Sequence, residues 1–182
     1  WAKTYEVGVV SDLAYGALGY RGYENPSFLS TPGAKDVGIE FYTFSKTFNM
    51  AGWRLAFAAG NDQMIEALNL IQDHLFVGIF PALQEAGITA LLDPKSEEAV
   101  AQLNATYDSR RDAFVQAAAK IGWKAFPSKG SFYAWMPVPE GYTSESFADL
   151  LLEKAHVAVA PGKGFGPAGD AYVRIGLLVE PE

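Results

Sequence analysis

Cysteine is absent from this 182-residue chain. That excludes a disulfide framework, a thiolate metal site and a thiol nucleophile. Histidine is scarce: His74 and His156 are the only two, so a His-rich metal centre is excluded as well. Positive charge is also scarce. Lys and Arg number 14 against 21 Asp and Glu, a net charge of −7, and such a chain is a poor ligand for nucleic acid or an anionic membrane. No apolar run reaches the ~20 residues that a membrane span needs; the longest lies around Leu75 to Leu83. A cytoplasmic setting is the expectation.

What is present is globular material. Apolar residues make up 49% and aromatic residues 14% of the chain, enough to bury a sizeable core. The length suits one domain, or one and a half small ones. The chain opens Trp1-Ala2-Lys3-Thr4-Tyr5 without Met and runs at once into an apolar segment. Leu177-Leu178-Val179 leads to Glu180-Pro181-Glu182 at the other end. These features lead us to expect a piece excised from a longer protein.

Three apolar runs read as strands in the first half: Val7 to Val10, buried on both faces, then Phe41 to Phe44, then Leu55 to Ala58. Asn61 or Asp62 caps a helix to about His74, Pro81 opens another that Asp93-Pro94 ends, and Ser96 opens a long helix that Gly122 stops. Trp123 to Phe126 and Ser131 to Met136 read as strands. Ser144 caps a helix through Lys154, and His156 to Ala160 and Tyr172 to Ile175 read as two more strands. The fold class is therefore α/β. Residues 1–95 form one part and 122–182 a small second domain, with a connecting helix over 96–121.

Lys46 follows directly on a strand. In open α/β sheets, ligand sites lie beyond the carboxyl ends of strands, and a lysine there can serve as a nucleophilic amine. A lone lysine is more often a surface residue. Asp12 stands at the end of the first strand, where it either presents a carboxylate to the same crevice or caps the next turn. Tyr15 is close enough to share that crevice, or is core. Thr43, Ser45 and Arg54 could together hold a phosphate. Alternatively, Arg54 forms a surface ion pair and Thr43 merely suits a strand. Arg174 lies amid apolar strand residues and needs a ligand or a partner such as Glu153 or Asp170. Phe132 and Tyr133 line a pocket or belong to the core. Gly164 to Gly169 matches G-x-G-x-x-G, but Pro167 interrupts it and a strand follows, so it reads as a glycine-rich loop without nucleotide binding.

Thr43-Phe44-Ser45-Lys46-Thr47-Phe48-Asn49-Met50-Ala51-Gly52-Trp53-Arg54 resembles the lysine signature of the class I/II aminotransferases, the fold-type I pyridoxal 5′-phosphate enzymes. Ser11-Asp12-Leu13-Ala14-Tyr15 resembles their upstream Asp-x-x-Tyr element, and Tyr172-Val173-Arg174-Ile175-Gly176 their C-terminal arginine strand. Thr43 departs from the family's usual Ser or Gly but keeps a hydroxyl. Lys46 to Arg54, Gly130 to Trp135 and Pro137 to Glu145 resemble the branch that aminates 4-methylthio-2-oxobutanoate in methionine salvage.

The resemblance implies the C-terminal half of the large cofactor domain, with a mixed, mostly parallel sheet, followed by the small domain. It implies a homodimeric enzyme that moves an amino group between an amino acid and a 2-oxo acid. By it, Lys46 bonds the cofactor and moves the proton, Asp12 pairs with the ring nitrogen and Tyr15 with the ring oxygen. Thr43, Ser45 and Arg54 hold the phosphate, and Arg174 clamps the substrate carboxylate. A C–S lyase on the same scaffold would share Lys46 and Asp12. The piece by itself is expected to be inactive, to bind cofactor weakly or not at all, and to self-associate.

Overall fold

The structure, a computed structural model, describes residues 1–180. The chain divides into two compact units, Trp1–Leu103 and Asn104–Glu182. The first is built on a three-stranded sheet in the order β1-β2-β3, with β1 at Val9–Asp12, β2 at Gly38–Thr43 and β3 at Ala56–Gly60. β1 runs parallel to β2, and β3 antiparallel to it.

β1 begins later than the apolar run suggests. The short helix α1 (Ala2–Tyr5) ends on Glu6 in the left-handed conformation, and the Val7 N–H closes it by donating to Ala2 O. That donor is spent, so the ladder starts at Val9, whose N–H reaches Val37 O. Val7 and Val10 are exposed rather than buried on both faces.

The helices of this unit follow their caps. Asn61 Oδ1 accepts the Met64 N–H and opens α3 (Asp62–Leu75). Pro81 opens α4 (Pro81–Leu92), where a missing N–H costs nothing. Gly87 lets α4 approach β3's entry: a Cβ there would lie 2.7 Å from Leu55 Cδ2. Phe44, Met50 and Leu55 form the buried cluster beneath, with Ile79, Ala86 and Ala90 against it. Glu40 is a buried carboxylate in β2. It accepts from Ser27 Oγ at 2.6 Å, Phe28 N at 2.6 Å and Ser11 Oγ at 3.0 Å.

The long helix α5 (Ser96–Lys120) runs into the second unit. Arg111 is buried on it, paired with Asp108 and Asp112 and donating to Ser128 O at 2.9 Å. The unit's sheet has three strands in the order β4-β6-β5: β4 at Tyr133–Pro137, β5 at Ala160–Pro161, β6 at Tyr172–Gly176. Both pairings are antiparallel. Alternation divides the sheet into two faces. Ala134, Met136 and Val173 enter the core with Phe147 and Ala118.

Three expected features differ here. Trp123 to Phe126 forms no strand. Trp123 instead plugs the core: its indole N–H donates to Pro137 O at 2.7 Å and its ring meets Phe147 edge-on. Of the expected strand His156 to Ala160 only Ala160 pairs, in the short β5, because His156 takes a left-handed conformation to close α6 (Ser144–Ala155). The cap of α6 is Thr143, in a reciprocal box with Ser146. Ser144 is buried and its hydroxyl donates to Asp170 Oδ1 at 2.8 Å. Among the described residues, no helix is long and apolar enough to cross a membrane.

Candidate active site

The first unit gathers six of the residues singled out from the sequence. Because β1 and β2 are parallel neighbours, their carboxyl ends leave the sheet at the same edge. Asp12 is the last residue of β1, in register with Phe41. β2 ends at Thr43, and the single turn α2 (Phe44–Thr47) starts at once.

The sequence of α2 decides which way it faces. Phe44 and Thr47 lie three apart, on one side of a helical turn, and both are buried. Phe44 packs edge-on against Phe57, and Thr47 Oγ1 lies 2.7 Å from the Tyr42 hydroxyl. Anchoring that side turns Ser45 and Lys46 to the other, where both are half-buried.

Thr43 caps α2: its Oγ1 accepts the Ser45 N–H at 3.2 Å and donates to Ser45 Oγ at 2.9 Å. The single Thr43 hydroxyl proton has a second acceptor within reach, Leu55 O at 3.3 Å. Leu55 O receives the Phe44 N–H at 3.2 Å and holds Arg54 next to this turn. Arg54 is exposed, in a left-handed conformation, and one of its nitrogens donates to Ala51 O at 2.8 Å. It forms no ion pair among the described residues. The Asp12 carboxylate is exposed and caps no turn: among the described residues it takes part in no hydrogen bond or ion pair. Tyr15 is half-buried, and its carbonyl accepts from Asn25 Nδ2 and Leu18 N, which fixes the turn after β1.

Arg174 belongs to the second unit, on β6 opposite Trp135 of β4. No carboxylate pairs with it among the described residues, and Asp170 is taken up by Ser144. Its guanidinium lies 4.2 Å from the Tyr133 ring and 4.3 Å from the Phe165 ring. Phe132 is core, whereas Tyr133 is on the Arg174 face. Phe165 went unread in the sequence. It lies in Gly164 to Gly169, which forms parts of two 3-10 turns rather than a helix.

Lys163, in the first of these turns, donates to Glu145 Oε2 at 2.7 Å. The hydrogen bond to the Glu145 carboxylate, with its opposite charge, holds the Lys163 ammonium above its ordinary pKa.

In open α/β sheets ligands bind in the crevice beyond the carboxyl ends of the strands, and Asp12 and Lys46 lie at or just past two such ends. The whole chain, residues 1–182, matches the family model for aminotransferase class I and II. It is 60% identical over 174 residues to an L-glutamine–4-(methylsulfanyl)-2-oxobutanoate aminotransferase of Bacillus subtilis, covering 96% of this chain and 43% of that relative. It is 47% identical to an LL-diaminopimelate aminotransferase of Moorella thermoacetica, covering all of this chain and 46% of that relative. A substrate-bound structure of BacF from Bacillus subtilis superposes with a TM-score of 0.93 at 45% identity, over 98% of this chain and 45% of that one. This chain belongs to the class I and II aminotransferases and has their fold-type I architecture. It spans about half the length of the curated relatives it matches.

Proposed function

We propose that this chain is part of an enzyme that transfers an amino group between an amino acid and a 2-oxo acid, with pyridoxal 5′-phosphate as cofactor. The observation that carries the reading is the shared sheet edge of Asp12 and Lys46. The donor set suits the group. A carboxylate matches its protonated ring nitrogen and a phenol its ring oxygen, while hydroxyls and a guanidinium match its phosphate. Asp12 and Tyr15 hold the ring, Thr43, Ser45 and Arg54 the phosphate, and Lys46 bonds the cofactor.

The cofactor supplies an electron sink for the charge left at the substrate's α-carbon. Asp12 keeps the proton on the ring nitrogen, which maintains that sink. Arg174 holds the α-carboxylate by a planar fork and sets which bond at the α-carbon breaks. With the cofactor bound, Lys46 Nζ would be freed when the substrate's amino group takes its place, and the free amine would take up and return the α-proton.

The 60% identity to the Bacillus subtilis enzyme supports L-glutamine as donor and 4-(methylsulfanyl)-2-oxobutanoate as acceptor. A homodimer is part of the proposal. Its support is a set of apolar side chains exposed where α3 meets α4: Leu75, Phe76, Val77 and Phe80. The 182 residues alone are proposed to be inactive, since they span about half of their relatives.

The test is product analysis with the complete protein that contains this chain. L-glutamine and 4-(methylsulfanyl)-2-oxobutanoate should yield methionine with the donor's nitrogen. No nitrogen transfer from this pair, with ammonia, a thiol and an oxo acid released instead from a sulfur-containing amino acid, would refute the reading in favour of a lyase.

A further inference from the structure

We infer that Tyr133 and Phe165 are positioning residues for Arg174, stacking on its guanidinium so that only its edge is offered to a carboxylate. The inference rests on the proposed role of Arg174 as the carboxylate fork.

The placement follows from the strands. Trp135 is directly opposite Arg174, and Tyr133 is opposite Gly176. Tyr133 is thus the diagonal neighbour of Arg174 on the same face, within reach of a long side chain. Tyr172 joins this face, stacked on Trp135 with centroids 5.5 Å apart. The sheet therefore turns one face to the apolar core and an aromatic face, carrying a single cation, away from it.

Phe165 comes from a different element, the 3-10 turn Gly162–Phe165. Close backbone packing sets that turn: a Cβ on Gly162 would lie 2.2 Å from Gly169 O and 2.5 Å from Tyr172 O. The Lys163 N–H donates to the buried Ser144 hydroxyl at 3.3 Å and fixes it further. Phe165 leans edge-on against Trp135 at 5.6 Å, yet it is 52% exposed. A ring so exposed contributes little as core packing; its close contact is with the Arg174 guanidinium.

The chemistry favours rings over acids here. A carboxylate partner would occupy the donors that a substrate needs, whereas an aromatic face attracts the cation and accepts none of its in-plane N–H groups. Stacking also limits the rotamers of a long side chain before substrate arrives, which lowers the ordering cost of binding.

The experiment compares two probes in the complete protein by single-turnover kinetics. They are methionine and its decarboxylated amine, 3-(methylthio)propylamine. Phe165→Leu and Tyr133→Leu should each lower kcat/KM for methionine tenfold or more and leave the amine unchanged. Phe165→Tyr should restore it. In an Arg174→Ala background, Phe165→Leu should have no further effect. Equal losses on both probes would make the rings merely structural and overturn the inference, as would no loss on methionine. If Arg174→Ala itself does not separate the two probes, the carboxylate role of Arg174 fails and the inference with it. If Arg174→Ala does and the ring variants do not, only the positioning role is lost.

Discussion

Asp12 and Lys46 leave the same edge of one parallel strand pair, the acid on the last residue of β1 and the amine one turn beyond β2. The proposed attachment of the cofactor through Lys46 has a direct consequence. Lys46→Ala in the complete protein should abolish amino transfer while thermal unfolding stays within a few degrees of the parent, since Lys46 is on the side of α2 away from its buried anchors. Turnover and a melting curve on one preparation decide it; preserved turnover would rule out the role.

Arg54 offers a narrower test. If it binds the cofactor phosphate, Arg54→Ala should weaken cofactor affinity by about 2 kcal/mol, roughly thirtyfold, as loss of a charged hydrogen bond does. Titration followed in the visible spectrum measures it. An unchanged Kd would leave Arg54 with its structural bond to Ala51 alone.

Glu40 predicts a stability effect away from the chemistry. Its carboxylate collects donors from Ser11, Ser27 and Phe28. Truncation leaves them without that acceptor, so Glu40→Ala should cost about 3 kcal/mol. Urea unfolding reads this directly, and a cost below about 1 kcal/mol would mean that water replaces the carboxylate.

The α3–α4 junction predicts association. Val77 is 88% exposed and flanked by Phe76 and Phe80, both also exposed. Sedimentation of the 182-residue chain should show self-association that rises with concentration. Val77→Asp should shift it toward monomer. A wild-type chain that stays monomeric throughout would count against an interface there.

How legible this was depends on where each determinant lies. Asn61 announces α3 because a cap acts on a donor three residues away. The acid and the lysine were legible as strand-end residues, since strand ends can be read locally. Trp123 to Phe126 misled because its two end aromatics favour a strand only when a ladder partner exists, and Trp123 finds a core pocket and a carbonyl instead. Phe165 was invisible for a related reason. Nothing local to a glycine-rich turn tells that its one ring will meet a guanidinium nine residues onward, across a sheet register.

The alternation of β6 also sets which changes of length this protein can absorb. Val173 is fully enclosed and Arg174, its neighbour, carries the charge on the opposite side. Inserting or deleting one residue between Tyr172 and Gly176 would drive the guanidinium into the hydrocarbon interior and put the valine in its stead. Variation in substrate preference should therefore come through replacements on the aromatic side or through the lengths of the connecting loops, and never through the reading frame of this strand.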